Sequence, residues 1–235
     1  MDRKASLIVS LIFFCSLPLA GQSTGAKPIQ TQRLELANAL RDKANLSKEA
    51  HTAFATVPRE QFLPELMQDL AYVDTEIPIS GGSILPSPSA IARIISQASI
   101  KPQDSLLLYG TGTGYTAAIL SRLAAQVSVI ESSQELTQSY ETAFSRLGYR
   151  NITLRQGTSI ELFKERNPFS LIIIQGAVRR IPPEALNQVK TGGRCLFALS
   201  DAAGFQILVS YEKGDTGPSI RTLGESFLPY LNELK

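Results

Sequence analysis

The sequence predicts an α/β protein in which a twisted, mostly parallel sheet carries helices on both faces. Residues 106–109 form an apolar run that leads into a glycine-rich turn and then into a helical pattern at residues 115–123. Residues 127–131 are typical of a second strand that ends in an acid. Residues 169–174 are continuously apolar, which is typical of a central parallel strand buried on both faces. Strands of this kind, separated by helical segments, indicate an open α/β sheet.

Size and composition narrow the class of protein. The 235 residues are 43% hydrophobic and 19% charged, which is enough for one well-buried domain. A net charge of +2 without a Lys/Arg run gives no reason to expect a nucleic-acid or membrane-surface partner. We also expect the protein to be a monomer. The cysteines are Cys15 and Cys195 and the one histidine is His51, which leaves little material for a metal site or a nucleophile–histidine pair. We interpret Cys195, in a predicted strand, as a small buried hydrophobe.

The first 26 residues have the pattern of an export signal followed by a linker. Two basic residues precede an uncharged apolar run at 5–19, which is short for a membrane span and suits a signal-peptide core. Cleavage is expected after Ala20 or Ala26, so that residues 1–26 are a signal peptide and linker and residues 30–235 form the domain. We therefore expect a periplasmic or secreted protein without a membrane segment after cleavage. An uncleaved anchor and a mispredicted start remain alternatives.

A helical cover is predicted before the first strand of the sheet. Residues 33–43 have the apolar spacing of a short amphipathic helix. Ser47 is a candidate N-cap for a second helix, which carries His51. A single histidine on such a helix is interpreted as a surface or packing residue.

The C-terminal half is predicted to complete the sheet. Gln175 is expected to end the central strand on the ligand side. A helix over residues 182–189 is predicted from its proline-rich start, and a glycine pair then turns the chain into a strand at residues 194–199. Residues 206–211 and 219–227 predict an antiparallel hairpin that closes one edge of the sheet.

Glycines recur at every second position directly after the first strand. Because glycine has no Cβ atom, the backbone can turn sharply there and a flat, nucleoside-like ligand can lie against main-chain amides. A dinucleotide motif, G-x-G-x-x-G, needs glycine where Tyr115 stands, so the spacing favours an S-adenosylmethionine loop over an NAD loop. The candidate cofactor-binding residues of this turn, called the glycine corner below, are Gly110, Thr111, Gly112, Thr113 and Gly114.

Glu131 is a further candidate cofactor-binding residue. It follows the first glycine by about twenty residues, where a carboxylate at the end of a strand can accept hydrogen bonds from both ribose hydroxyls. The alternative is a solvated acid at a strand end.

Short motifs at separated places point to a known family. They are Val57-Pro58-Arg59-Glu60-Gln61-Phe62-Leu63-Pro64, Ala71-Tyr72-Val73-Asp74, Ile77-Pro78-Ile79, the glycine corner, Leu147-Gly148-Tyr149-Arg150-Asn151, Pro168-Phe169, Gly192-Gly193-Arg194 and Phe227-Leu228-Pro229. From about Arg33 onward the chain resembles the protein-L-isoaspartate O-methyltransferase family.

The resemblance implies a Rossmann-like, S-adenosylmethionine-dependent methyltransferase fold that repairs damaged proteins. The cofactor would be S-adenosyl-L-methionine, and the partners would be proteins or peptides that contain isoaspartyl residues. An isoaspartyl carboxylate is ionised at neutral pH and needs no general base. Pro58 and Pro64 would stiffen a lid-like segment, and the turn Ser80-Gly81-Gly82-Ser83 would let it fold over the pocket. The resemblance also implies a cytoplasmic location as the alternative to export.

The chain departs from the family pattern at functional positions. In an ungapped alignment Pro86 stands where the family has its active-site serine, so the candidate catalytic residue is the nearest hydroxyl, Ser87. Leu108 replaces an acid two residues before the first glycine. The G-D-G element is replaced by further candidate cofactor-binding residues, whose hydroxyls make weaker, neutral hydrogen bonds: Gly157, Thr158 and Ser159. A catalytically impaired protein that binds a nucleoside or peptide in the same pocket is therefore the alternative hypothesis.

Overall fold

The computed structural model describes residues 27–110 and 112–231. The predicted signal segment and Thr111 of the glycine corner lie outside the described residues. Within the described ranges, no helix has the length and apolar character that a membrane crossing requires.

The helices and strands follow one another along a single domain. In chain order they are α1 (Ile29–Ala44), α2 (Lys48–Thr56), 3₁₀ helices at Arg59–Phe62 and Glu65–Leu70, β1 (Ile77–Pro78), a 3₁₀ turn at Ser80–Gly82, β2 (Ile84–Leu85), α3 (Pro88–Ala98), β3 (Ser105–Gly110), α4 (Gly114–Leu120), β4 (Gln126–Glu131), α5 (Gln134–Leu147), β5 (Ile152–Gln156), a 3₁₀ helix at Ile160–Arg166, β6 (Phe169–Val178), α6 (Pro183–Leu186), β7 (Val189–Ser200), β8 (Gln206–Gly214) and β9 (Gly217–Glu225).

The main sheet confirms the predicted fold class. Its seven strands lie in the order β5-β4-β3-β6-β7-β8-β9. The pairings from β5 to β7 are parallel, and β8 and β9 add the predicted antiparallel hairpin at one edge. The chain leaves β3 toward β4 and β5 and then returns to place β6 on the other side of β3, so the strand order reverses between β3 and β6.

Alternate residues of the central strands face two separate apolar layers, as the period of two in a strand requires. Leu106 and Leu108 of β3 pack toward the layer that α1 to α5 cover, whereas Leu107 and Tyr109 face the opposite layer. On that opposite face, the covering elements are the 3₁₀ helix Ile160–Arg166 and the single turn of α6. Helices thus cover both faces as predicted, but unequally.

The first two helices confirm the predicted N-terminal cover. Ser47 is the N-cap of α2, and its side chain accepts a hydrogen bond from the backbone N–H of Ala50 at 3.2 Å. His51 pairs with Asn38 through Nε2 and Oδ1 at 2.9 Å, which is a packing contact between α1 and α2.

Three predicted boundaries in the C-terminal half are wrong. β6 continues past Gln175 to Val178, with a register shift against β7. The helix predicted over residues 182–189 is only α6, because the backbone N–H of Phe169 donates to the carbonyl of Gln188 and draws the chain into the sheet. β7 begins at Val189, before the glycine pair, and the chain bends at Gly192 (φ of +73°), where a register shift between Phe169 and Leu171 absorbs the extra residues.

Candidate cofactor and acceptor site

The candidate site lies at the carboxyl ends of β3, β4 and β6, beside the point where the strand order reverses. Gly110, the last residue of β3, is in register with Glu131 on β4 and with Gln175 on β6. Open α/β sheets bind their ligands in the crevice at this kind of reversal. The topology therefore brings the glycine corner and Glu131 together, as the sequence predicts.

The protein itself occupies the space that the missing side chains of the glycine corner leave. A Cβ atom on Gly110 would lie 2.6 Å from the carbonyl oxygen of Gln175, and one on Gly112 would lie 2.5 Å from that of Ile84. A Cβ atom on Gly114 would lie 2.5 Å from the ring of Tyr140. These glycines therefore allow β6, α5 and the segment before α3 to pack closely, a role that the spacing of the glycines does not predict.

We call residues 58–87 the cover segment, because they cross over the glycine corner between α2 and α3. The carbonyl of Ile84 rests against Gly112, whose φ of +64° is readily adopted only by glycine. Gly81 and Gly82, with φ of 70° and 72°, form the turn that lets the segment fold back, as predicted. Gln175 supports the corner from below, since its Nε2 donates to the carbonyl of Gly112 at 3.2 Å.

Glu131 faces the glycine corner and is fully buried, so the alternative of a solvated acid does not describe it. Its Oε2 accepts hydrogen bonds from the backbone N–H of Thr113 at 3.2 Å and from the Thr113 hydroxyl at 3.1 Å. Its Oε1 accepts from the backbone N–H of Ser133 at 3.2 Å. Burial raises the pKa of Glu131 above its ordinary value, and the hydrogen bonds from Ser133 and Thr113 oppose that effect.

The loop after β5 lies next to Glu131. The backbone N–H of Gly157 donates to the Glu131 carbonyl at 2.9 Å. The carbonyl of Thr158 accepts from the Tyr109 hydroxyl at 2.9 Å, and Thr158 is exposed at the rim of the site. Ser159 caps the following 3₁₀ helix by accepting from the N–H of Glu161 at 3.2 Å, which uses an oxygen lone pair and leaves its proton for another partner.

Ser87 has a structural role at the start of α3. Its hydroxyl accepts from the backbone N–H of Ala90 at 3.2 Å and forms the N-cap of α3, with Pro88 as the first helical residue. Ser87 is half-buried and lines a cavity of about 640 Å³. Pro86 before it is buried, and Leu108 is fully buried in the apolar core, where it offers no hydrogen-bond acceptor.

Sequence reasoning missed the role of Asp74, although it lies in one of the family motifs. Asp74 accepts from the backbone N–H of Ser89 at 2.8 Å and from the Ser89 hydroxyl, and it pairs with Lys43 at 2.9 Å. Burial works in the opposite direction, but these hydrogen bonds hold the pKa of Asp74 below its ordinary value. The cover segment is thereby fixed to the first turn of α3.

The fold and the site together define a Rossmann-like methyltransferase domain. Residues 31–230 match the sequence model of the family described as protein-L-isoaspartate(D-aspartate) O-methyltransferase. A Shewanella sediminis protein named protein-L-isoaspartate O-methyltransferase 2 is 32% identical over 232 residues, which cover 97% of this chain and 95% of that protein. An Ignicoccus hospitalis protein-L-isoaspartate O-methyltransferase is 33% identical, with 79% and 90% covered. The chain belongs to the protein-L-isoaspartate O-methyltransferase family.

Solved structures show the same fold. A structure described as a protein-L-isoaspartate O-methyltransferase aligns with a TM-score of 0.75 at 23% identity, covering 86% of this chain and 66% of that one. A Plasmodium falciparum protein of the same description, in complex with S-adenosyl-L-homocysteine, aligns with a TM-score of 0.71 at 16% identity, covering 86% and 98%. At these identities the likeness concerns the fold.

Proposed function

We propose that this protein acts as a monomer and transfers the methyl group of S-adenosylmethionine to the side-chain carboxylate of L-isoaspartyl residues in damaged proteins. Membership of the family over residues 31–230 supports this function. The observation that carries it is the buried carboxylate of Glu131, which faces the glycine corner at the strand reversal.

The residues around Glu131 fit an adenosine group. A carboxylate has about four acceptor positions, and Oε1 of Glu131 accepts from the N–H of Ser133. That oxygen can accept from one ribose hydroxyl, and rotation of the Thr113 hydroxyl frees a position on Oε2 for the other. We propose that the hydroxyls of Thr158 and Ser159 donate hydrogen bonds to the ligand at the rim of the site. The remaining proposed binding residues are Gly110, Thr111, Gly112, Gly114 and Gly157.

The proposed methyl transfer requires little acid–base catalysis from the protein. When bound, S-adenosylmethionine supplies a methyl group on a positively charged sulfur. The acceptor oxygen forms the new C–O bond as the C–S bond breaks, and no proton has to be removed from a carboxylate at neutral pH. The cover segment orients the reactants and excludes water, which accelerates a displacement of this kind. We propose that the Ser87 hydroxyl donates a hydrogen bond to the acceptor carboxylate, because its capping bond uses only an oxygen lone pair.

Glu131→Gln tests the proposal. We expect the wild-type protein to bind S-adenosylmethionine in a calorimetric titration and to form base-labile methyl ester on an isoaspartyl peptide. The neutral amide should weaken binding about tenfold, since charge-assisted hydrogen bonds are about twice as strong as neutral ones. The matched control is Glu135→Gln, an exposed acid in the first turn of α5, which should leave the affinity unchanged. Failure of the wild-type protein to bind the cofactor would contradict the proposal.

A second candidate function is a protein that binds the nucleoside or a peptide in this site without transferring the methyl group. Pro86 and the buried Leu108 favour it, because neither offers the polar group that the family pattern has at its position. The same experiment separates the two functions. Cofactor binding without methyl ester formation would favour the second.

We also propose that residues 1–26 direct export to the periplasm or the medium. Their basic start and apolar run support this location. N-terminal sequencing of the protein from its own host should then find a mature chain that begins at Gly21 or Lys27. An intact Met1 in the cytoplasmic fraction would contradict export and would place the protein beside the cellular supply of methyl donor.

A further inference from the structure

Arg59 is a fully buried cation that forms no ion pair with a carboxylate of the described residues, although the charge of Asp74 opposes the lowering of its pKa by burial. It begins the 3₁₀ helix Arg59–Phe62 and is 0% exposed. The nearest acid in the sequence, Glu60, is already bonded to Arg33 at 2.9 Å and to the Tyr72 hydroxyl. Within residues 27–110 and 112–231, neither Nε nor Nη1 of Arg59 has a hydrogen-bond partner.

Stability alone does not explain this arginine. Removing a guanidinium from water costs several kcal/mol, and replacing a buried ion by an apolar side chain of similar size is often neutral or stabilising. Burial lowers the pKa of Arg59 to about 10, so the side chain is still charged at neutral pH. The fold therefore keeps a costly charge at this position.

The contacts of Arg59 join the cover segment to the glycine corner. Its Nη2 donates to the carbonyl of Pro86 at 3.0 Å. Its guanidinium lies 5.0 Å from the centre of the ring of Tyr115, the residue that follows the corner. One residue before the Leu85-Pro86-Ser87 turn, the carbonyl of Ile84 meets Gly112. The turn that carries Ser87 thus adjoins the corner through the Ile84 carbonyl and is bonded through the Pro86 carbonyl to Arg59, which lies over Tyr115.

We propose that Arg59 is a positioning residue that fixes the Leu85-Pro86-Ser87 turn over the glycine corner. This inference rests on the proposed function, because the turn would present the acceptor carboxylate in line with the methyl group. A displacement of about 1 Å in such an arrangement can cost on the order of a hundredfold in rate. The bond is made to a carbonyl, so it does not depend on which side chain residue 86 carries.

Arg59→Met tests the proposal, because methionine keeps much of the packing against Tyr115 but cannot donate to Pro86. We expect hydrogen exchange of the Ile84, Leu85 and Ser87 amides to accelerate at least tenfold, with the melting temperature unchanged or higher. The kcat for an isoaspartyl peptide should fall at least tenfold, and KM should change less than threefold. Arg59→Lys, which can still donate, should recover most of the protection of the turn.

The matched control is Arg122→Met, since Arg122 also lies 5.0 Å over a tyrosine ring, that of Tyr149, but is exposed and distant from the turn. It should alter neither exchange at the turn nor kcat. Unchanged exchange in Arg59→Met would overturn the proposal, and so would faster exchange that spreads to α1 and β3 with a lower melting temperature. If Arg59→Met does not fold, loss of protection at the turn in Arg59→Lys would overturn it. The exchange is read without cofactor or peptide, so an inactive wild-type protein refutes methyl transfer without affecting this result.

Discussion

In the proposed site, the buried carboxyl of Glu131 would make cofactor binding depend on pH. Burial shifts its pKa above the ordinary value for glutamate, against the hydrogen bonds from Ser133 and Thr113. Since the folded-state pKa is raised, the favourable contribution of this group to the unliganded fold is fully present at low pH and is lost as the pH rises through the folded-state pKa. The proposed contact with the cofactor requires the opposite form, because the ionised carboxylate would accept from both ribose hydroxyls.

We therefore expect affinity for S-adenosylhomocysteine to fall as the pH is lowered through the raised pKa of Glu131, beginning above the range of an ordinary glutamate. Calorimetric titrations between pH 8 and pH 5 would measure this dependence. Glu131→Gln, which cannot titrate, should bind more weakly and with a flat profile. An equally flat profile for the wild-type protein would show that ionisation of Glu131 plays no part in binding.

At the same scale, the sequence predicts some site residues and misses others for a physical reason. The glycine corner and Glu131 could be found because they end neighbouring parallel strands, so the spacing along the chain reflects the spacing in the fold. The bond of Arg59 to the Pro86 carbonyl spans 27 positions and depends on how the cover segment folds back. A local sequence pattern cannot show that two residues so far apart in the chain meet in the fold.

At the scale of elements, the contact between the cover segment and the glycine corner can be tested by Gly112→Ala. A left-handed backbone costs a residue with a Cβ atom about 1–2 kcal/mol. Gly112 adds a collision, since the new atom would lie 2.5 Å from the Ile84 carbonyl oxygen, which is main chain and cannot rotate away. We expect the free energy of unfolding in urea to fall by about 3 kcal/mol or more when strain and displacement are combined.

Gly82→Ala is the matched control for this prediction. Its φ of +72° is similar to that of Gly112, but nothing lies within 4 Å of the position that a Cβ atom would take. It should therefore cost only the backbone strain, about 1–2 kcal/mol. Equal losses in the two variants would mean that the cover segment does not press on the corner.

The strands were easier to predict than the helices, because buried strands leave continuous apolar runs. The apolar pattern does not predict α5, although Ser133 caps its start and Gly148, with φ of 75°, ends it. The helix predicted from Pro182 ended early for a reason that is not local, since its last residues pair with β6. Sheet pairing between distant segments therefore outweighed a correct helix-start signal.

At the scale of the whole molecule, Arg194 and Asp104 tie together α3, the loop before β3, and β7. The guanidinium of Arg194 pairs with Asp104 at 3.0 Å and also donates to the carbonyls of Ala98 and Ser99. Burial opposes ionisation of Asp104, but the N–H of Lys101, the Ser170 hydroxyl and Arg194 together hold its pKa below the ordinary value.

We expect Asp104→Asn to reduce the free energy of unfolding by about 3 kcal/mol at pH 7, because Arg194 loses its buried partner. A lowered folded-state pKa gives stability that is present above the unfolded pKa and is lost as the pH falls through the folded value. The difference between variant and wild type should therefore shrink below about pH 4. Urea titrations at both pH values measure it.

Asp42→Asn is the control for this prediction, since Asp42 forms an exposed pair with Arg41 and should show no measurable effect at either pH. If the difference in the free energy of unfolding between Asp104→Asn and wild type stays constant across this pH range, the loss comes from packing and not from the ion pair.

The end of the cover segment is held through its main chain: the Ile84 carbonyl rests against Gly112, and the Pro86 carbonyl accepts from Arg59 earlier in the same segment. Contacts made by main-chain atoms do not depend on the side chains of the residues that make them. The side chain at residue 86 can consequently be changed without loss of either carbonyl contact. The functional groups at this point of the chain can therefore be varied separately from the backbone that holds them.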